Sequence, residues 1–343
     1  MIIMRNFFKQ SFIKALLIIL GIWLGFYFWG LKEERQFLIS FQNNIPTVIK
    51  TSPKNINHKI NILFLGVPGN GYRGALLTDT IFVIHLNIQN KKVAVVSIPR
   101  DLLVKNNLNN SQVKINSLYA IENPSAKYFI KAQKYNLIKN KIQDILGMEI
   151  NYIVIFDLTG FSKLVDTVGG VSVWLEKEII DPHFSDPYNA NDIFKLEPGW
   201  HNLDGKSAIK FVRSRYDPQG DFYRMKHQQQ IIASLKDKIT HLSEFYNLLD
   251  WLKLWQSLDG HFITDLDLNT ALNFFKMFKN VKSEEIVYLS FTTREPDKML
   301  VSSSYLEIDP QTKEPKNIYV LIPKAGFENY TEIQNYLKEK IND

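Results

Sequence analysis

The sequence contains no cysteine. Disulfide scaffolds, thiolate metal sites and cysteine nucleophiles are therefore excluded, although an exported location is not, since a large domain folds without disulfides. Two catalytic spacings are also missing: there is no G-x-S-x-G elbow and no Walker A loop. The seven histidines are scattered without an H-E-x-x-H spacing, which argues against a zinc site. Nor is there a strong charge excess. The net charge is +6, and three of those charges, Arg5, Lys9 and Lys14, lie in 1–31, which has no acid; the remaining +3 is too little to argue for nucleic-acid binding. With 343 residues, 45% hydrophobic and 22% charged, the chain is long enough for a full core.

A long apolar run is present once, at the start. Ala15–Leu31 is uncharged, and with Phe12 and Ile13 across Lys14 it approaches the ~20 residues that span a bilayer. Trp23, Tyr27, Phe28 and Trp29 lie where an aromatic belt would sit, and the basic flank precedes the helix. The apolar run ends in bulky Phe-Trp-Gly-Leu rather than in a small-residue cleavage site. The expected organisation is a cytoplasmic N-terminus at 1–11, a retained anchor at 12–31, a linker at 32–58 and one extracytoplasmic domain at 59–343.

Beyond the anchor, apolar β-rich runs alternate with helical patterns. Lys59–Gly66, Thr80–Asn87, Lys92–Ile98, Tyr152–Phe156, Val171–Leu175, Ile286–Phe291 and Ile318–Ile322 read as strands. Ala126–Leu146, Leu158–Val168, Phe222–Ile239, Leu242–Gln256, Leu266–Val281 and Tyr330–Ile341 read as helices. That order predicts an α/β fold with a mostly parallel or mixed central sheet between helix layers.

Three places concentrate chemistry. Asp79 lies where a Gly-rich loop enters an apolar strand, as an acid with a special role or as a loop acid capping backbone amides. Arg100 and Asp101 follow the end of another strand, where ligands bind in α/β sheets and where a structural ion pair is equally at home; Lys114 is a further cation nearby. The densest cluster is Lys210–Gln229, with Arg213, Arg215, Asp217, Asp221, Arg224, His227, Gln228 and Gln229. Arg213 and Arg215 would share a face if extended. Arg224 and Gln228 lie one helical turn apart. The planar fork of arginine bonds two phosphate oxygens at once, and carboxylates among arginines suit Mg2+ with phosphate. The cluster thus favours an anion site over a solvated charged face.

In order along the chain come LG, a Gly-rich loop, T-D-T-I, S-I-P-R-D, K-I-N-S-L-Y-A, D-L-x-G-F-x-K-L-V-D-x-V-G-G-V, L-D-G-K-x-A, R-x-R and D-F-x-R-x-x-x-Q-Q. The set resembles the LytR-CpsA-Psr family of cell-envelope glycopolymer ligases over about Lys59–Ile239, so the motif core is 59–240. The resemblance implies a mixed sheet between helices, with an apolar tunnel for the lipid tail of a polyprenyl-pyrophosphate-linked glycan. It implies transfer of the glycan with its phosphate to a peptidoglycan acceptor. Carried over, Asp79 and Asp221 would bind Mg2+. Arg100, Lys114, Arg213, Arg215, Arg224 and Gln228 would contact the pyrophosphate, with Asp79, Arg100, Asp221 and Arg213 catalytic. The general base, Asp101 or Asp221, stays unassigned. Two positions depart from the family: Leu77 precedes T-D-T where many members have Arg, and His227 stands where many have Arg before Q-Q. Hydrolysis of the lipid pyrophosphate, and a non-enzymatic lipid-phosphate-binding or regulatory role in the envelope, are the alternatives.

Overall fold

The computed structural model describes residues 58–126, 129–181, 193–214, 221–241, 258–295, 298–308 and 314–342. The expected anchor at 12–31 and the expected helix at Leu242–Gln256 lie outside them. Among the described residues, no helix is long and apolar enough to cross a membrane. His58–Asp343 form one compact unit.

The chain opens with β1 (Lys59–Val67), β2 (Thr80–Asn87) and β3 (Lys92–Ser97). Asn87 Oδ1 accepts the backbone N–H groups of Gln89 and Asn90 at 3.1 and 3.4 Å, and this closes the turn between β2 and β3. A small hairpin, β4 (Leu103–Lys105) and β5 (Gln112–Lys114), leads to α1 (Leu118–Glu122). Then follow α2 (Asn136–Leu146), β6 (Tyr152–Asp157), α3 (Leu158–Thr167), β7 (Val171–Leu175), β8 (Ile179–Asp181), β9 (Phe194–Leu196) and β10 (Gly199–Leu203). The remainder comprises α4 (Gly205–Arg213), α5 (Asp221–His241), β11 (Phe262–Thr264), α6 (Leu268–Phe278), β12 (Val287–Ser290), β13 (Leu300–Ile308), β14 (Pro315–Pro323) and α7 (Thr331–Asn342).

The six-stranded central sheet has the order β11-β6-β1-β2-β3-β12. The pairs β1–β6 and β3–β12 are parallel and the others antiparallel, so the sheet is mixed as expected. Both faces are apolar. Leu63, Leu65, Val83, Val96, Ile153 and Ile155 join α2 and α7 in the main core. Ile62, Phe82, Val95, Phe64 and Ile84 occupy the other face, with Phe274 and Phe278 of α6 and Ile232 of α5. A separate apolar cluster joins α3, α4, α5 and the two-stranded ribbon β7–β10.

Several local expectations change. Ala126–Leu146 is not one helix: a single 3-10 turn at Phe129–Lys131 precedes α2. The Asn123 side chain competes for the backbone there. Its Oδ1 accepts Lys134 N–H at 3.1 Å and its Nδ2 donates to the Lys134 carbonyl at 2.6 Å, holding an extended stretch. Arg213 is not extended but closes α4, a helix capped by Asp204, whose carboxylate accepts Ser207 N–H at 2.8 Å. The helix's first residue is glycine, Gly205, because any Cβ there would collide with the carbonyl oxygen of Ser162 in α3. Val171–Leu175 is a strand, but in the ribbon rather than the central sheet.

His85 on β2 is 2% exposed, and its Nδ1–H donates to Asn61 Oδ1 at 2.6 Å. Burial, with Lys59 nearby, lowers its pKa to about 4. The folded protein therefore refuses a proton that the unfolded chain takes up below pH 6.5. This site costs nothing above that pH, and its penalty grows as pH falls to about 4, reaching about 3 kcal/mol. His85→Gln is expected to flatten the fall of the thermal midpoint between pH 6.5 and 4, measured by calorimetry against the parent chain.

Candidate functional site

One end of the sheet gathers the C-terminal ends of β1, β3, β6 and β12 with the start of β2. Across it the pairing runs Ser97 opposite Phe82, Thr80 opposite Gly66, and Gly66 opposite Phe156. The loops leaving these strands are tied to one another by backbone bonds. Thr78 N–H donates to the Asn116 carbonyl at 2.9 Å, and Asn116 N–H to the Arg100 carbonyl at 3.3 Å. The T-D-T, P-R-D and K-I-N motifs, separate in sequence, are thereby locked side by side.

The lock arranges a chain of alternating charge. Arg100 Nη1 donates to Asp79 Oδ1, and Arg100 Nε stands 3.7 Å from Asp101 Oδ2. Lys114 Nζ donates to Asp101 Oδ1 at 2.5 Å. The guanidinium of Arg100 is nearly buried while the Asp79 carboxylate is about a third exposed. Arg224, 3% exposed on the first turn of α5, donates from Nη2 to the Asp79 carbonyl at 3.1 Å. One turn later Gln228 Nε2 donates to Thr80 Oγ1 at 2.9 Å. The Arg213 guanidinium carbon lies 5.3 Å from the centre of the Tyr72 ring.

Asp79, Thr80, Arg213, Arg224 and Gln228 line the polar end of a cavity of about 820 Å3. The rest of the lining is mostly apolar, with Asp181, Lys236, His261 and Thr264 as its polar members. Phe64, Phe82, Ile84, Val154 and Phe156 form the sheet wall; Phe161, Leu164, Ile231, Leu235 and Ile239 come from α3 and α5. Phe64 and Phe82 stack with ring centres 4.9 Å apart. Gly66 lets the strands pack closely here, since a Cβ there would come within 3.0 Å of Thr80 Cβ and 3.3 Å of the Phe156 ring. Such a lining pairs an apolar surface with a small set of convergent polar groups, as ligand pockets do.

The predicted residues are brought together in part. Asp79, Arg213, Arg224 and Gln228 share the cavity end, while Arg100 stands behind Asp79 and Lys114 behind Asp101. Asp221 begins α5, with its side chain outside the described residues; Arg215 and Asp217 lie outside them altogether. His227 is 2% exposed, stacked 4.1 Å from Phe211 and edge-on to Tyr223 at 4.3 Å, and it is not part of the cavity lining. No group of three or more histidine, aspartate or glutamate side chains able to hold a metal occurs among the described residues. Asp79 nevertheless suits a Mg2+ ion that accompanies phosphate. Such an ion needs only one or two protein carboxylates, and Asp79 lines the cavity, about a third exposed.

The partners of Gln229, and the Asp157–His261 pair, are not legible in the sequence. Gln229 reaches across the sheet end, its Nε2 donating to Ser97 Oγ at 3.1 Å and Ser290 Oγ at 2.9 Å, which fixes α5 over β3 and β12. Asp157, 4% exposed at the end of β6, caps α3 by accepting Gly160 N–H at 2.7 Å, and its Oδ2 lies 3.0 Å from His261 Nδ1. His261 lines the cavity. Asp157→Ala is expected to cost about 2 kcal/mol in urea unfolding, through loss of the cap and of the histidine's partner, with Asp157→Asn recovering most of it.

The LytR_cpsA_psr family model matches residues 33–317. Regulatory protein MsrR of Staphylococcus aureus (strain COL) is 30% identical over 238 residues, 67% of this chain and 65% of the relative, so the chain spans about two thirds of that protein's length. The polyisoprenyl-teichoic acid–peptidoglycan teichoic acid transferase TagU of Enterococcus faecalis is 26% identical over 273 residues, 76% of this chain and 79% of the relative. The crystal structure of B. subtilis TagV superimposes with a TM-score of 0.61 at 23% identity, covering 84% of this chain and 99% of that one. TagT bound to LIIa-WTA gives a TM-score of 0.57 at 18% identity, covering 84% and 92%. At these identities the structural likeness establishes the fold.

Proposed function

Because the chain belongs to the LytR-CpsA-Psr family, we propose that it moves a glycan with its phosphate from a polyprenyl-pyrophosphate carrier to a peptidoglycan hydroxyl. The observation that carries this reading is the junction of one cavity's two parts: an apolar volume of about 820 Å3 and an end lined by Arg213, Arg224 and Asp79. A polyprenyl pyrophosphate has the same division into apolar tail and anionic head. The name of the TagU relative, a transferase from polyisoprenyl-linked teichoic acid to peptidoglycan, supports the same class of reaction.

In the proposed reaction the acceptor oxygen forms a bond to the glycan-bearing phosphorus, and the bond from that phosphorus to the bridging oxygen breaks. The acceptor proton leaves to a base or to water, and polyprenyl phosphate departs. Phosphoryl transfer asks mainly for positioning and charge neutralisation. Arg213 and Arg224 would neutralise the non-bridging oxygens, while Gln228 would hold Thr80 in place. Arg100 would set the orientation of Asp79. Asp79, with Asp221 at the start of α5, would hold Mg2+, which when bound supplies further charge neutralisation at the pyrophosphate. An anchor at 12–31 would keep the cavity near the bilayer that delivers the lipid, with the domain on the outer side. Hydrolysis, or lipid binding without transfer, would use the same cavity, and the product distinguishes them.

The test is transfer from a polyprenyl-pyrophosphate-linked glycan to peptidoglycan by the full chain in detergent. Arg213→Ala is expected to lower the rate about 100-fold with an unchanged thermal midpoint, and Arg100→Ala to do so with at most a small shift. Transfer at the parent rate by both variants overturns the site assignment. Release of free glycan phosphate without any acceptor product replaces transfer by hydrolysis.

A further inference from the structure

The ribbon β7–β10 sets Trp174 and Trp200 directly opposite each other. Their ring centres are 5.5 Å apart with planes tilted by 58°. The partner positions Val171, Val173 and Leu175 point the other way, into the apolar cluster beneath. The indoles face outward instead, 46% and 72% exposed. Two adjacent exposed indoles form an apolar patch of the kind that marks a binding surface.

The patch borders a groove of about 490 Å3 between the ribbon and α5. Beside the indoles and the apolar Val173 and Ala233, α5 supplies a polar edge of Gln230, Ser234, Asp237 and Lys238. Gln230 Nε2 donates to the Trp174 carbonyl at 3.2 Å, and its Oε1 is buried with no hydrogen-bond partner among the described residues. That acceptor carries a cost until a donor reaches it. A lipid chain would offer no donor to Gln230 Oε1. A pyranose ring matches both parts: its C–H face lies flat on an indole, and its hydroxyls and acetamido group reach the polar edge.

We propose that this groove binds N-acetylhexosamine rings of the acceptor glycan strand. The identity of the sugar rests on the transfer reading above; the presence of a carbohydrate subsite rests on the groove. A linear β-1,4-linked strand presents one pyranose face after another, as two adjacent indoles require. The groove and the cavity lie on different sides of α5: Gln228, Ile231 and Leu235 line the cavity, and Gln230, Ser234 and Lys238 the groove. Ser234 is about 15 Å along the helix axis from Arg224, a span of a few sugar rings. The strand held in the groove would bring one of its hydroxyls round to the phosphate end.

The full chain in detergent is titrated calorimetrically with the β-1,4-linked tetramer of N-acetylglucosamine. The tetramer is expected to bind. Trp174→Ala and Trp200→Ala should each weaken binding roughly tenfold, with thermal midpoints unchanged and Trp200→Phe retaining part of the affinity. Arg213→Ala, which tests the transfer site, should bind the tetramer as the parent does, so failure of either reading is seen separately. Absence of tetramer binding, or equal binding by both tryptophan variants, overturns the proposal. So does a loss confined to binding of phosphatidylglycerol vesicles, which would make the indoles a membrane contact.

Discussion

The central sheet has two apolar faces, and only one of them is packed shut. On the first, α2 and α7 bring Ile138, Ile142, Ile145, Ile333 and Leu337 onto the strands to form the main core. On the second, α3, α5 and α6 stand over Phe64, Phe82, Ile84 and Phe156 and leave a cavity of about 820 Å3 between. Close packing is the norm in protein interiors. A void of this size forgoes dispersion contacts, and an apolar ligand would restore them. Stability is thus carried by the closed face, and the open face is left for binding.

The polar end depends on that division. Charges gather where the strands stop, because the loops there are clamped by the backbone bonds among Thr78, Asn116 and Arg100. Asp79, Arg100, Asp101 and Lys114 then alternate in sign, so the less exposed members are matched by their neighbours. A buried charge without such a match would be strongly destabilising. Arg213 and Arg224 reach the cavity from the other side, on two helices whose placement comes from α4 packing against α3 and from Gln229 bridging Ser97 and Ser290. Because arginine stays charged and offers a planar fork, the cavity end suits phosphate across the whole working pH range.

Much of this was legible in the sequence, and the reasons differ by residue. Lys59–Val67 and Thr80–Asn87 are near-continuous β-rich apolar runs, which buried strands of a sheet covered on both faces require. Asp79 stood out because an acid is unusual at the entry to such a strand, and the cluster around Arg213 and Arg224 because lysine outnumbers arginine elsewhere. Arg213 closes a helix rather than lying in an extended segment, and the sequence signal for that helix is Asp204, the cap three residues before Ser207. Gln229 stands in the sequence cluster, but its partners and the Asp157–His261 pair are not legible there, because the contacts join residues 61 to 132 positions apart. The departure at His227 looked like a lost cation at the site. Its ring instead fills an aromatic slot between Phe211 and Tyr223, a packing role that the motif could not disclose. β13 was passed over because its serine-rich run carries little apolar signal, although it pairs along its whole length with β14.

The proposed transfer requires that the open face of the sheet hold a lipid tail whose pyrophosphate rests on the arginines. Native mass spectrometry of the full chain, released from detergent after incubation with a polyprenyl pyrophosphate and Mg2+, tests it most directly. The account predicts a one-to-one adduct of the lipid mass that disappears when Leu235→Trp fills the cavity and persists when the exposed Leu306 on β13 is changed to Ala. An adduct unaffected by filling the cavity, or no adduct at all, would contradict it.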